Sequence, residues 1–362
     1  MTTTSDGFLV DWGDRPNYKP IKGRRGKNIR GGAPKPSTTA KPPRPAGRAA
    51  ARAMRFDAML RKAPEAVIKV TGGGTNIEHI KAHMDYISRN GEIEVEAEDR
   101  LKYLGTDQVL ELRDAWANSG YRIPRTGEER KEAINIVLSM PAGTNREAVT
   151  AAVREFAAER FGDHQYIFAQ HNDEKHTHVH LTVKKVNMYG TRLNPKKADL
   201  MDWREHFVER LWDQGIKANA TPRRARGIVY KQEKGVVAQL QKNGKYSTRV
   251  AQRQEAVKDA VSRGRAHENP HGEKIAATRQ SYLQQYHGIA QRLARSEDPA
   301  DREKAFKLVE FVKSMPTLRS RHQVIVDDIL AQRTAGSARD LSQATNREVG
   351  TKNQADQSKD KP

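Results

Sequence analysis

His171-Asn-Asp-Glu-Lys-His176-Thr-His178-Val-His180-Leu-Thr-Val183 is the stretch on which the reading of this chain turns. It holds four of the twelve histidines and runs without a break into an apolar segment. Along a β-strand successive side chains alternate faces. A strand over 176–183 therefore predicts His176, His178 and His180 on one face, with Thr177, Val179 and Leu181 on the other. A single histidine on a strand is ordinarily a hydrogen-bonded core or surface residue. Three imidazoles at spacing two gain little from packing and repel one another when protonated, so a divalent metal that keeps them neutral is the more economical explanation.

On both sides of the histidines, strand and helix signals alternate. Upstream, Gln165-Tyr-Ile-Phe-Ala-Gln170 and Ala133-Ile-Asn-Ile-Val-Leu-Ser139 read as buried strands. Between them Pro141-Ala-Gly-Thr144 is a turn, and Asn145 caps a helix that carries Val149, Val153, Phe156 and Ala157 and ends at Gly162. Downstream, Leu200, Trp203, Phe207 and Leu211 mark one face of a helix running to Gly215. Order begins at Ala66-Val-Ile-Lys-Val-Thr71, a short strand that leads into Gly72-Gly-Gly74. A glycine-rich turn before a helix can cradle phosphate. The Lys-Ser/Thr pair of a nucleotide-binding loop is missing, however, so the glycines read as a plain turn. A helix over 76–90 follows, with Ile77, Ile80, Met84 and Ile87 as its core stripe and Gly91 as its C-terminal cap. Tyr86 lies roughly 140° from the centre of that stripe, which directs its hydroxyl to solvent, another element or a ligand.

Composition indicates the partner. The chain of 362 residues has 65 Lys+Arg against 45 Asp+Glu, a formal charge of +20, which favours a polyanion, nucleic acid first. No run of 18 or more apolar residues and no signal-peptide core is found, so the expectation is a soluble, cytoplasmic protein without membrane insertion. The absence of cysteine excludes disulfides, cysteine-based zinc fingers and thiol catalysis. Residues 1–64 carry 15 Lys/Arg and 4 Asp/Glu amid Pro, Gly, Ser and Thr, and read as a disordered basic arm. Residues 65–230 suffice for one core. Residues 231–334 are polar and helix-favouring and read as a helical accessory region; 335–362 read as a disordered tail.

Three blocks in order carry a resemblance. Gly72-Gly-Gly-Thr75 is followed by Met84-Asp-Tyr-Ile-Ser-Arg-Asn-Gly91; Val137-Leu-Ser-Met-Pro-Ala-Gly-Thr144 comes next, and His171-x-Asp-x-x-His-x-His-x-His180 last. Together they resemble the relaxases of mobilisable and conjugative plasmids, within the HUH endonucleases, and most closely the type that nicks T-DNA borders. The resemblance implies an α+β fold, a central antiparallel sheet flanked by helices. It also implies a site- and strand-specific nicking and strand-transfer activity in which a tyrosine forms a 5′-phosphotyrosyl intermediate. On that basis Tyr86 is the expected nucleophile, and His171, His178 and His180 are the ligands of Mg²⁺ or Mn²⁺. Asp173 takes the acidic position that orients a ligand imidazole or helps activate Tyr86. His176 is a further catalytic candidate that could ligate, relay a proton or contact phosphate.

Thr177 and Lys184 depart from the pattern, standing where relatives have proline and asparagine. The lysine removes an amide that could support the site and adds a cation, which points to weaker metal affinity or an altered DNA contact. Lys184, Lys185, Arg192, Lys196, Lys197, Arg223, Arg224 and Arg226 are the expected phosphate contacts. The implied partners are single-stranded DNA at a transfer origin, accessory relaxosome proteins and a secretion coupling protein, with export of the DNA-bound protein to a recipient cell. Two alternatives share much of the pattern: a replication initiator or transposase-type nuclease of the same superfamily, and a non-catalytic regulator whose histidines hold a structural zinc.

Overall fold

Apolar residues alternate along the central strands of the computed structural model and so cover both faces of one sheet. The structure describes residues 48–119, 130–228, 248–264, 272–318 and 323–331, together with the single positions 123, 240 and 243. The elements in chain order begin with α1 (Arg48–Leu60), β1 (Val67–Gly72), α2 (Ile77–Ser88), β2 (Val95–Ala97), β3 (Lys102–Tyr103) and α3 (Thr106–Asn118). They continue with β4 (Ala133–Met140), α4 (Arg146–Phe161), β5 (Tyr166–His171), β6 (Thr177–Lys184) and α5 (Lys197–Asp213). After a 3₁₀ turn (Arg223–Arg226) come α6 (Thr248–Ser262), α7 (Gly272–Ala294) and α8 (Pro299–Lys313).

The strands form a six-stranded antiparallel sheet in the order β1-β4-β6-β5-β2-β3. The expected α+β architecture is thus observed. On β6, Val179, Leu181 and Val183 face a core built with Val149, Val153 and Phe156 of α4 and Phe207 and Leu211 of α5. On the other face, Ile77, Ile80, Met84 and Ile87 of α2 pack with Leu112 and Trp116 of α3 over Ile167 and Ala169 of β5. His171 and the even-numbered residues of β6 lie on this second side. The period of two thus sorts one strand between a core and a chemical surface.

Several helix ends follow their local chemistry. The side chain of Asn76 accepts from His79 N and that of Asn145 from Ala148 N, and Gly162 is the C-cap of α4. The C-cap of α2 is Arg89 rather than Gly91: Arg89 has φ 52 and ψ 46, and Asn90 follows with φ 57. Gly91 is needed for a different reason. Its φ is 94, and a Cβ there would stand 2.5 Å from the Gly105 carbonyl carbon. In the turn before α2, a Cβ on Gly73 would meet Ala133 O at 2.1 Å, and one on Gly74 would meet Ile80 Cγ1 at 2.4 Å. Close packing explains these glycines without a nucleotide.

Two boundaries differ from the sequence expectation. The basic arm does not extend to residue 64 as disordered chain, because α1 occupies Arg48–Leu60, burying Phe56, Met59 and Leu60 and pairing Arg55 with Glu205 and Glu209 of α5 at 3.5 and 3.1 Å. Averaging over 64 residues hides an Ala-rich segment with its own apolar face. The rest of the arm and the tail 335–362 lie outside the described residues. The first compact unit ends at Thr221 rather than 230 and takes in Ile289–Leu308, whereas the second comprises Pro222–Gly288 and the chain from Val309. Within the second unit Tyr286 donates to Ala225 O at 2.7 Å, and its ring lies edge-on to Phe311. Among the described residues no helix is long and apolar enough to cross a membrane.

Candidate active site

The histidines meet because a hairpin folds them together. β5 and β6 pair so that His171 stands opposite His178, and Ala169 opposite His180. The ring centroids are 5.4 Å apart for His171–His178, 4.3 Å for His171–His180 and 5.3 Å for His178–His180. One donor atom from each lies within 4.8 Å of the others, a set suited to a divalent metal.

Hydrogen bonds fix which nitrogen each ring offers. His171 Nε2 lies 2.8 Å from Ile87 O, which can only accept, so Nε2 carries the proton and Nδ1 is left as the donor to a metal. In the same way His178 Nδ1 lies 3.3 Å from His176 O, leaving Nε2 as ligand. Burial, together with the charges of His171 and His178, pushes the His180 pKa down to about 3, and burial also lowers that of His171. Both rings are therefore neutral at pH 7 with lone pairs available, as metal binding requires. The donor set of three imidazoles fits a borderline divalent ion.

His176 is not in this group. Regular pairing of β6 starts at Thr177, opposite Met140. His176 is exposed in the preceding loop, its ring 5.1 Å from His178. The period of two does not extend past the end of the strand.

Tyr86 projects from the last turn of α2 toward the cluster. Its ring centroid is 5.9 Å from His171 and 5.6 Å from His180, and the residue is 49% exposed, so an incoming polymer can reach it. Neither Arg89 nor His83 stood out in the sequence. The Arg89 guanidinium lies 5.1 Å from the Tyr86 ring centroid, pairs with Asp173, and approaches His171 Nδ1 at 3.4 Å. The left-handed backbone at Arg89 is what brings it there. A non-glycine residue in this region is strained, a condition found often at functional sites. His83, one turn before Tyr86, stacks on it at 5.8 Å, and its buried Nε2 has no hydrogen-bond partner among the described residues. Such a nitrogen can be satisfied by bound water or by an oxygen of a ligand.

Asp173 faces two ways, toward Arg89 and, at 3.8 Å, toward His178 Nε2. Slight burial would raise its pKa, but Arg89, His171 and His178 outweigh this and lower it. It is a settled carboxylate. The loop that carries it is held by Arg146, the first residue of α4, which donates to His171 O (3.2 Å), Asn172 Oδ1 (2.8 Å) and Glu174 O (2.8 Å). Thr177 Oγ1 adds a bond to Thr144 O at 3.1 Å. The turn around Pro141–Thr144 and the histidine block are thus one assembly.

The expected DNA contacts divide. Lys184 is corrected: it is 2% exposed, with Nζ donating to Ser119 O (2.7 Å), Gln165 Oε1 (2.9 Å) and Trp116 O (3.3 Å). It faces the same side of the sheet as His180 but lies beneath the end of α3, where carbonyls that lack helical partners attract a cation. Its charge is therefore engaged inside the fold rather than offered at the surface. Arg192 pairs with Glu132 at 3.0 Å, Lys185 is half-buried, and Lys196 and Lys197 are exposed. Arg223, Arg224 and Arg226 lie in the 3₁₀ turn of the second unit, the first two exposed.

Residues 86–212 match the family described as Relaxase: MobA/VirD2-like, nuclease domain. The chain is 31% identical over 179 residues to the T-DNA border endonuclease VirD2 of Rhizobium radiobacter, covering 44% of this chain and 42% of that protein. It is 33% identical over 179 residues to the protein of the same name in Rhizobium rhizogenes, with 44% and 41% covered. For that of Agrobacterium fabrum (strain C58 / ATCC 33970) it is 33% over 180 residues, with 44% and 40% covered. The chain thus spans less than half the length of these relatives.

Proposed function

We propose, from the match of residues 86–212 to the MobA/VirD2-like relaxase nuclease domain, that the chain nicks one DNA strand at a plasmid transfer origin by attack of Tyr86. The observation that carries this reading is the placement of a half-exposed tyrosine against two of three convergent imidazoles. In the proposed step a bond forms between Tyr86 Oη and the scissile phosphorus, and the bond from phosphorus to the 3′-oxygen breaks. The leaving oxygen takes the electron pair and a proton from solvent; the phenol proton passes to solvent, to which Tyr86 is open. The product is a 5′-phosphotyrosyl adduct that conserves the energy of the phosphodiester for later rejoining, together with a free 3′-hydroxyl.

His171, His178 and His180 would hold Mg²⁺ or Mn²⁺, which would supply positive charge against that of the transition state. Arg89 adds a fixed cation beside the nucleophile, and Asp173 holds that guanidinium and faces the His178 ring. Asp173 thus acts by orientation, since a carboxylate engaged by an arginine is a poor proton acceptor. His176, exposed beside His178, is positioned to meet a phosphate. Lys185, Arg192, Lys196, Lys197, Arg223, Arg224 and Arg226 are proposed to contact the DNA backbone. The same reading makes relaxosome accessory proteins and a secretion coupling protein the partners, the bacterial cytoplasm the site of nicking, and the adduct the exported species.

The test is direct. Full-length wild type and Tyr86→Phe are incubated with end-labelled single-stranded origin DNA and Mg²⁺, Mn²⁺ or chelator, then run on denaturing gels. The expected result is a metal-dependent protein-linked band that Tyr86→Phe lacks. A band that persists moves the nucleophile to another tyrosine. Tight binding without any band supports the regulator with a closed zinc site.

A further inference from the structure

The loop between β6 and α5 is built to expose two apolar side chains. Asn187 is buried, its Oδ1 accepting from Tyr189 N (3.1 Å) and Thr191 N (2.7 Å) while its Nδ2 donates to Asp163 Oδ2 (2.5 Å). Backbone bonds from Met188 N to Asp163 O, Gly190 N to Asn187 O, Asn187 N to Thr191 O and Leu193 N to Lys185 O close the hairpin. Gly190, at φ 77, makes the turn. At the tip of this fixed frame Met188 is 65% exposed and Tyr189 71% exposed. Most of the surface of each stays in water.

The surroundings select the partner. Lys131, Arg192 and Lys196 lie close enough to Lys185 for their charges to act on it, and Lys197 is exposed at the start of α5. The acids beside them are already engaged: Glu132 by Arg192, Asp163 by Asn187, and Asp199 by the backbone of Lys196. An exposed aromatic at the tip of a hairpin whose base carries these cations suits a polymer that offers anionic phosphates and unpaired π-faces together. Single-stranded nucleic acid has both, whereas duplex DNA hides its base faces.

We propose that the Asn187–Thr191 hairpin is a base-stacking platform, with Tyr189 stacking on an unpaired base of single-stranded DNA and Met188 packing beside it. This rests on the relaxase reading for the source of the strand and deepens it. The hairpin follows the end of β6 at Lys184, which lies roughly 20 Å along the strand from His178 and roughly 13 Å from His180. The platform thus engages bases several nucleotides from the scissile phosphate, which turns a nicking site into one that reads a stretch of single strand.

Binding is measured by fluorescence anisotropy with the full chain, a mixed-sequence 30-nucleotide single strand and the matching duplex. The buffer contains chelator, so that covalent chemistry plays no part. Tyr189→Ala is expected to weaken single-strand binding about 5- to 100-fold, leave the salt dependence unchanged because no phosphate contact is lost, and leave duplex binding as it was. Tyr189→Phe and Tyr189→Trp are expected to stay near wild type. Thermal unfolding of each variant separates lost stacking from lost fold. Single-strand affinity of Tyr189→Ala within twofold of wild type overturns the proposal, as does a shallower salt slope, which would make Tyr189 a phosphate contact. Absence of the covalent adduct in the earlier experiment would sink the nicking reading and leave this one standing, so the two failures are distinguishable.

Discussion

Arg89 shows how much one residue can contribute to this site. The end of α2 places it in a conformation that glycine adopts freely and arginine adopts under strain. Arg89→Gly is therefore expected to fold at least as well as wild type and to bind Mn²⁺ with similar affinity by calorimetry. Its covalent rate on single-stranded DNA should nonetheless fall roughly 100-fold, the scale seen when one preorganised donor is removed. Arg89→Lys should recover only part of the rate, since an ammonium cannot reach Asp173 and the Tyr86 ring with one planar group. A rate unchanged in Arg89→Gly would reduce Arg89 to a helix cap. None of this was legible from Ser-Arg-Asn-Gly in the sequence, because a side chain's reach depends on the backbone that carries it. Lys184 teaches the converse. By type it is a phosphate contact, but by position it caps α3.

At the level of elements, the site depends on the joint between the turn at Pro141–Thr144 and the hairpin of β5 and β6. Arg146 makes three hydrogen bonds to that hairpin's loop. Arg146→Ala is expected to lower stability by about 1–3 kcal/mol, because the loop acceptors lose charged partners. It should also weaken Mn²⁺ binding roughly 10- to 100-fold, as removal of outer-shell support does. Denaturant unfolding with and without Mn²⁺ checks both. If only stability changes, the loop does not need Arg146 to hold the histidines. The departure at Thr177 has a reason on the same scale, since its hydroxyl bonds Thr144 O, a contact proline could not make. Strong signals for β4, α4, β5, β6 and α5 came from apolar periodicity and caps. The helix α3 was not assigned from sequence, although Val109, Leu112 and Trp116 recur at helical spacing. The polar residues between them dilute the stripe.

For the whole molecule, acid should be the condition that unfolds it. His206 accepts from Arg160 Nε at 2.6 Å, which requires a lone pair on Nδ1. Burial, with Arg160 and Arg210 beside it, pushes its pKa down to about 3 from 6.5, despite the Glu159 carboxylate at the other nitrogen. Burial is the largest cause, and the two arginine charges add to it. An unfolded chain takes up this proton near pH 6.5 and the folded chain does not. The stability due to the neutral ring is therefore present above that pH and is lost as pH falls toward 3, at no more than about 1.4 kcal/mol per pH unit. Urea unfolding of the metal-free protein between pH 7 and 4 should show this decline, and His206→Asn should show a shallower one. An equal slope in the variant would assign the decline to other groups, His171 and His180 among them.

On this scale the division between sequence and structure is clear. Local physics reached the alternation of faces along β6, the helices on either side and the polyanion-seeking charge, since neighbours in the chain control each of these. The family resemblance grouped His171 with His178 and His180 and set His176 apart; only tertiary structure decided that the strand ends before His176, that Arg89 lies over Tyr86, and that Lys184 is buried. Those facts depend on register, on helix ends and on contacts between distant segments, which no local pattern encodes.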